Sequence, residues 1–299
     1  MKGAVISSML TDYGAKEFLE ELASIQPTKE IEDYSKDGIL FCGKCNAPKQ
    51  AWVDWIPDAN GNREQKLVRV MCKCDVEREA KEAEKKKQDD FYYAMREIRA
   101  ILHTEQTDVR WTFEQDDSPN SPTSLACRKY VEEWDEMKRN NIGIIFFGSK
   151  GNGKSFYASC VYNAMLERNV LAGFTSTANL MNILSKWDKT EIIDTIKRVQ
   201  LLVLDDLGAE RDTSYSAELM YYVIDERYKT GLPTIVTTNY ALANMEQEEE
   251  VWRGRIYDRI IEMCPITLRM EGQSRRAGIA EERKNLARKI MFGVEGSKK

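Results

Sequence analysis

The sequence predicts an α/β protein: a three-layer domain on a five-stranded parallel sheet, preceded by a small cysteine-bearing module and a charged helical linker. Three observations lead there. From about residue 121, five short apolar runs alternate with helix-compatible stretches. Four cysteines cluster within the first 74 residues. Between these regions lies DVEREAKEAEKKKQDD, in which 12 of 16 residues are charged.

The strand candidates are residues 142–147, 170–175, 199–205, 234–238 and 265–269. Four of the five are nearly continuous in Ile, Val, Leu and Phe, as parallel strands covered on both faces require. Helical connectors imply right-handed βαβ crossovers. The charged run pairs Glu77 with Lys81 and Glu82 with Lys86 at helical i,i+4 spacing, so it reads as a solvated helix. Its five positive charges against seven negative argue against a nucleic-acid contact there. Residues 15–25 read as an amphipathic helix, and 91–102 as a helix that opens a transitional segment ending in the loop DDSPNSP. The expected organisation is 1–74, 75–120 and 121–299.

Composition bounds the function. At 299 residues, 42% hydrophobic and 31% charged, the chain has material for one sizeable core plus a small module. No apolar run approaches the roughly 18 residues that span a bilayer, and the N-terminus lacks the apolar length of a secretory signal. A cytoplasmic protein without a membrane partner is expected. The net charge of −5 conceals an asymmetry, because residues 251–299 carry 12 Lys/Arg against 6 Asp/Glu. Any nucleic-acid contact is therefore expected to be local. His103, the single histidine, has no cysteine nearby in sequence and reads as an ordinary exposed or half-buried residue.

The chemistry begins at IGIIFFGSKGNGKS, which fits G-x-x-x-x-G-K-[ST] between an apolar strand and a helix-compatible stretch. Across Gly148, Ser149, Lys150, Gly151, Asn152, Gly153, Lys154, Ser155 and Phe156, backbone N–H groups and a helix N-terminus can surround phosphates. Lys154 suits the β- and γ-phosphates of ATP, and the Ser155 hydroxyl suits Mg2+. Fifty-one residues beyond Lys154, VQLLVLDD ends in Asp205, placed to hold Mg2+, and Asp206, placed to act on an attacking water. That second carboxylate points to hydrolysis, since a kinase needs a site for an acceptor hydroxyl instead. The strand PTIVTTN ends at Asn239, a polar group beside the expected nucleotide. Arginines follow at 253, 255, 259, 275 and 276; a guanidinium can meet transition-state charge, and surface solvation is the rival reading.

Cys42-x-x-Cys45 and Cys72-x-Cys74 suit a tetrahedral structural Zn2+ site joined by a β-hairpin with the turn DANGN. An iron–sulfur cluster and unligated thiols are the alternatives. Cys127, Cys160 and Cys264 lack partner spacing and read as small buried residues.

Together GSKGNGKS, LLVLDDLGAE, ERYKTGLPTIVTTNY, RGRIYDRI and GQSRR resemble the AAA+ domain of bacterial and phage DnaC/DnaI-type helicase loaders and their IstB-like relatives. The resemblance covers about residues 121–290. It implies Asn239 as sensor-1 and Arg259, or else Arg255, as an arginine finger acting on a neighbouring subunit. It further implies Arg276, or else Arg275, as sensor-2. A finger in trans implies a self-oligomer in a loading complex with a replicative hexameric helicase on single-stranded DNA, in a bacterial or phage-infected cell. The DnaI-type loaders resemble the cysteine module too, which the IstB transposition helpers do not. The alternatives are a transposition or DNA-remodelling ATPase and, from another class, a zinc-dependent adaptor with slow hydrolysis; a P-loop kinase stands further off.

Overall fold

The computed structural model describes residues 32–54, 65–105, 109–208, 214–271 and 275–292, with backbone alone at 214 and 275–280. The expected helix at 15–25 and the DANGN turn lie outside these residues. The chain divides into two compact units at Lys87 and Gln88.

In the first unit β1 (Tyr34–Lys36) pairs antiparallel with β2 (Ile39–Phe41). The turn between them is Asp37-Gly38, with φ of 51° and 76°. Positive φ at both positions is the hairpin geometry that Asp-Gly adopts readily. A second antiparallel pair joins β3 (Gln50–Asp54) to β4 (Gln65–Arg69), the expected hairpin between the cysteine pairs. The charged run lies in helix α1 (Lys73–Ile101), which buries Asp75 and is exposed from Val76 to Asp90.

The second unit contains α2 (Pro122–Glu132), α3 (Trp134–Arg139), β5 (Ile144–Gly148), α4 (Lys154–Glu167), β6 (Ala172–Ser176), α5 (Thr177–Lys186) and α6 (Lys189–Arg198). Then come β7 (Leu201–Leu207), α7 (Ser214–Tyr228), β8 (Thr234–Thr238), α8 (Leu242–Glu246), α9 (Val251–Met263), β9 (Ile266–Met270) and α10 (Arg275–Phe292). The five predicted strands all form, within two residues of their expected bounds. They make one parallel sheet in the order β6-β7-β8-β5-β9. Parallel pairing puts every carboxyl end on one edge, the edge where ligands bind in open α/β sheets.

Local chemistry sets the boundaries. Ser121 caps α2, accepting from Ser124 N, and Pro122 stands at the first turn where no N–H is needed. Ser176 and Asp188 cap α5 and α6 in the same way. Asn141 and Asn169, at φ 52° and 56°, end α3 and α4 in the left-handed conformation and turn the chain into β5 and β6.

The segment expected to be transitional is built into this unit. Met95, Ile98 and Leu102 are spaced to share one helix face and lie in its core with Val109. Asn179 Nδ2 donates to Leu102 O, and Asn163 Nδ2 donates to Val109 O and Trp111 O. At the amino edge of the sheet, Arg227 is fully buried. Its guanidinium donates to the carbonyls of Ile196, Val199, Gln200 and Pro233 and to Thr234 Oγ1. Burial lowers its pKa to about 9, so it remains a cation at neutral pH. It ties the end of α6, the entry to β7, the end of α7 and the entry to β8 to one group.

Candidate active site and metal centre

The loop after β5 turns on glycines. Gly148, Gly151 and Gly153 have φ of 131°, 84° and 91°, values that side-chain-bearing residues rarely adopt. Gly148 also has no room for a side chain, because a Cβ would stand 2.4 Å from Met270 O. Asn152 reinforces that junction, its Nδ2 donating to Met270 O while its buried Oδ1 has no hydrogen-bond partner among the described residues. Ser149 and Lys150 are exposed at the tip. Lys154 opens α4 and is only 7% exposed. Its ammonium donates to Gly148 O and Ser149 O at 2.8 Å and to Asn239 Oδ1 at 2.9 Å.

The strand order explains the last contact. β8 lies between β5 and β7, so its carboxyl end falls between the phosphate loop and the paired aspartates. Asn239 bridges them, accepting from Lys154 and donating through Nδ2 to Asp206 Oδ1 at 2.9 Å. A polar chain Lys154–Asn239–Asp206 thus crosses the sheet edge.

The two aspartates face different surroundings. Asp205 is largely shielded, and burial raises its pKa against hydrogen bonds from the Thr237 and Ser155 hydroxyls. Asp206 sits at a register shift between β7 and β8, with φ of 57°. Such a bulge re-aims a side chain and breaks the alternation that would send neighbouring residues to opposite faces. Three threonine hydroxyls meet the backbone groups there: Thr177 donates to Asp206 O, Thr237 accepts from Asp206 N, and Thr238 donates to Leu207 O. Gly208 follows at φ 92°, where a Cβ would strike the Tyr240 ring.

The residues present fit the groups that the motifs imply. A loop turned on three positive-φ glycines, the first with no space for a side chain, an enclosed ammonium and a helix N-terminus suit a polyphosphate. The Ser155 hydroxyl and the Asp205 carboxylate, hydrogen-bonded together, are hard oxygen donors of the kind Mg2+ takes.

The structure brings Lys154, Ser155, Asp205, Asp206 and Asn239 together, whereas Arg255 and Arg259 contact side chains of α9 and α7. Arg259 pairs with Asp225 at 2.6 Å and lies over the rings of Tyr221 and Tyr228, all on α7. Arg255 is exposed beside its own Trp252. Arg275 and Arg276 begin α10, and their side chains lie outside the described residues. Phe156 packs on Trp111 and Tyr157. Sequence reasoning missed Thr237, Thr177, Thr238 and Arg227. The repeated threonine of PTIVTTN was the visible sign of two of them.

In the first unit the ligand sulfurs of Cys42, Cys45, Cys72 and Cys74 all lie within 4.8 Å of one another. Four thiolates about 2.3 Å from a common Zn2+ would stand roughly 3.8 Å apart, so the cluster suits a tetrahedral site. Cys42 N bonds Ala47 O and Asn46 N bonds Cys42 O, closing the knuckle turn. The thiols differ: a backbone hydrogen bond at Ala47 lowers Cys45 to about 7, whereas burial raises Cys72 to about 12. Asp75 N donates to Cys72 Sγ, and Lys49 bridges Asp33 and Asp75 beside the cluster. Cys127, Cys160 and Cys264 are buried, as expected. No helix among the described residues is long and apolar enough to cross a membrane.

Residues 64–282 match the family described as IstB-like ATP binding protein. The replicative helicase loader DnaC of Escherichia coli (strain K12) is 28% identical over 140 residues, covering 45% of this chain and 55% of the relative. The replicative helicase loader DnaI of Bacillus subtilis (strain 168) is 26% identical over 193 residues, covering 58% of this chain and 61% of the relative. The chain thus spans between half and two thirds of the length of the curated relatives it matches. A crystal structure of the DnaC helicase loader aligns at TM-score 0.47 with 25% identity, covering 56% of this chain and all of that one. With a P-loop on a five-stranded parallel sheet and a family match across most of its length, the chain belongs to the IstB-like ATP-binding proteins and has the AAA+ fold.

Proposed function

We propose that the protein is an ATP-dependent loader that delivers a replicative hexameric helicase onto single-stranded DNA. The observation that carries the ATPase part is the Lys154–Asn239–Asp206 chain, which joins phosphate loop to carboxylate through one amide. The names of the relatives support the loading part.

Lys154 and the loop N–H groups bind the β- and γ-phosphates. Ser155 and Asp205 hold the divalent cation, which when bound neutralises charge on the phosphates. Asn239 orients the attacking water while Asp206 accepts its proton as the new oxygen–phosphorus bond forms. The bond to the β-phosphate oxygen breaks, and ADP leaves. Arg259 reaches the γ-phosphate of a neighbouring copy, exchanging Asp225 for the phosphate oxygens, and Arg276 serves its own subunit. The cysteine module holds Zn2+ and contacts the helicase.

The test is capture of a purified hexameric replicative helicase by the full chain at about 1 μM, with and without ATP. The expected result is binding that Cys42→Ser with Cys72→Ser removes. Failure to capture any such helicase overturns the loader reading. Hydrolysis that requires duplex DNA and a transposase points instead to the transposition role.

A further inference from the structure

One side chain touches both aspartates of the proposed reaction centre. Thr237, 1% exposed on β8, donates its hydroxyl proton to Asp205 Oδ1 at 2.6 Å. Thr237 Oγ1 in turn accepts the Asp206 N–H at 2.8 Å. We propose that Thr237 is the positioning residue that holds the cation-binding and water-activating carboxylates in register. The inference rests on the proposed hydrolysis.

The backbone explains why such a residue is needed. Asp206 stands in the left-handed region at φ 57°, a conformation that disfavours residues with a side chain. The register shift interrupts the β7–β8 pairing at this residue, and a shielded amide there needs an acceptor. The Thr237 oxygen meets that amide, holding the bulge that turns the Asp206 carboxylate toward Asn239. Its single proton is then committed to Asp205. One hydroxyl therefore fixes the rotamer of the first carboxylate and the backbone of the second, and movement of either is felt by the other.

The neighbouring threonine separates this role from simple support. Thr238 donates to Leu207 O and accepts from Tyr240 N, and neither contact reaches a carboxylate. Valine matches threonine in shape and lacks the hydroxyl, whereas serine keeps the hydroxyl and loses a methyl.

The experiment compares full-length wild type, T237V, T237S and T238V by two readouts. The first is kcat and KM for Mg·ATP. The second is Mn2+ affinity of the ADP complex by electron paramagnetic resonance, which needs no turnover. T237V is expected to lose roughly tenfold or more in kcat with KM held within about twofold, and to bind Mn2+ at least about fivefold more weakly. T237S is expected within about threefold of wild type on both readouts, and T238V to keep wild-type Mn2+ affinity. Equal losses in T237S and T237V, or Mn2+ affinity unchanged in T237V, overturn the proposal. If wild type itself fails to hydrolyse ATP, the hydrolysis reading falls and the Mn2+ measurement alone decides. Weakening confined to T237V then upholds the positioning role, and equal affinity in all four proteins ends it. Should T237V not fold, T237A carries the same comparison with T237S.

Discussion

Lys154 shows how one residue can be both structural and reactive. Its ammonium is enclosed by two loop carbonyls and Asn239, so a phosphate enters a place where a cation is already positioned. Preorganisation of that kind is a main source of rate in phosphoryl transfer. Asp206→Asn keeps the size of the side chain and removes the proton acceptor. It is expected to lower hydrolysis by roughly 10²–10⁴ while ATP binding stays near wild type, read by turnover and by fluorescent-nucleotide titration. Asp116 is a different kind of carboxylate. It is nearly buried beside the start of α2 and accepts from Ser124 Oγ, Ser118 N and Tyr157 OH. Burial opposes its ionisation, but those hydrogen bonds win and hold its pKa below the usual value. The folded state therefore favours the charged form, and the stability it contributes is present above pH 4 and is lost as pH falls below that. Asp116→Asn is expected to destabilise the protein by about 1–3 kcal/mol at pH 7, with a smaller difference at pH 3, measured by urea unfolding.

At the scale of elements, what was legible depended on whether the signal was local. The five strands, the charged helix, the phosphate loop and the cysteine hairpin each announce themselves in a short stretch, and each forms. The strand order does not, because nothing within PTIVTTN says that β8 inserts between β5 and β7. Asn239 accordingly read as a polar residue at a strand tip, and only the topology sets it between Lys154 and Asp206. Arg227 was invisible for the same reason: its five partners come from residues 196–200 and 233–234, two stretches that the fold brings to one guanidinium. The β1–β2 hairpin was a missed local signal, since Asp37-Gly38 is a strong turn dipeptide that the nearby cysteines overshadowed. Arg227→Met would leave several buried carbonyls without donors and is expected to cost about 3 kcal/mol or more, seen as a lowered unfolding midpoint. The cysteine module makes the opposite prediction. With Zn2+ bound as proposed, so small a unit would draw its folding energy from the metal, roughly 10–16 kcal/mol in comparable peptides. A strong chelator is expected to release one Zn2+ per chain and collapse amide-exchange protection in residues 32–87, leaving the sheet domain protected. Retained protection without metal would contradict the zinc assignment.

For the whole molecule, the charge distribution and the arginines bear on assembly. The chain is acidic overall while residues 251–299 are basic, so the proposed contact with single-stranded DNA would fall on that segment and not on the entire surface. Arg259 is held by Asp225 and Tyr221 on its own chain. As the proposed finger, Arg259 would exchange that pairing for a neighbour's phosphate, and each nucleotide site would be half of a unit that a second copy completes. On the proposed reading, a site built from the phosphate loop, Asp206, Asn239 and a neighbour's arginine would make hydrolysis a report on assembly. The most direct test mixes two variants, Lys154→Ala and Arg259→Ala, each expected to be nearly inactive alone. Mixed in equal amounts, they form roughly a quarter of interfaces with an intact loop facing an intact arginine, and hydrolysis is expected to return toward that fraction of wild type. Activity of the mixture no greater than the sum of the two separate variants would contradict a site shared between subunits.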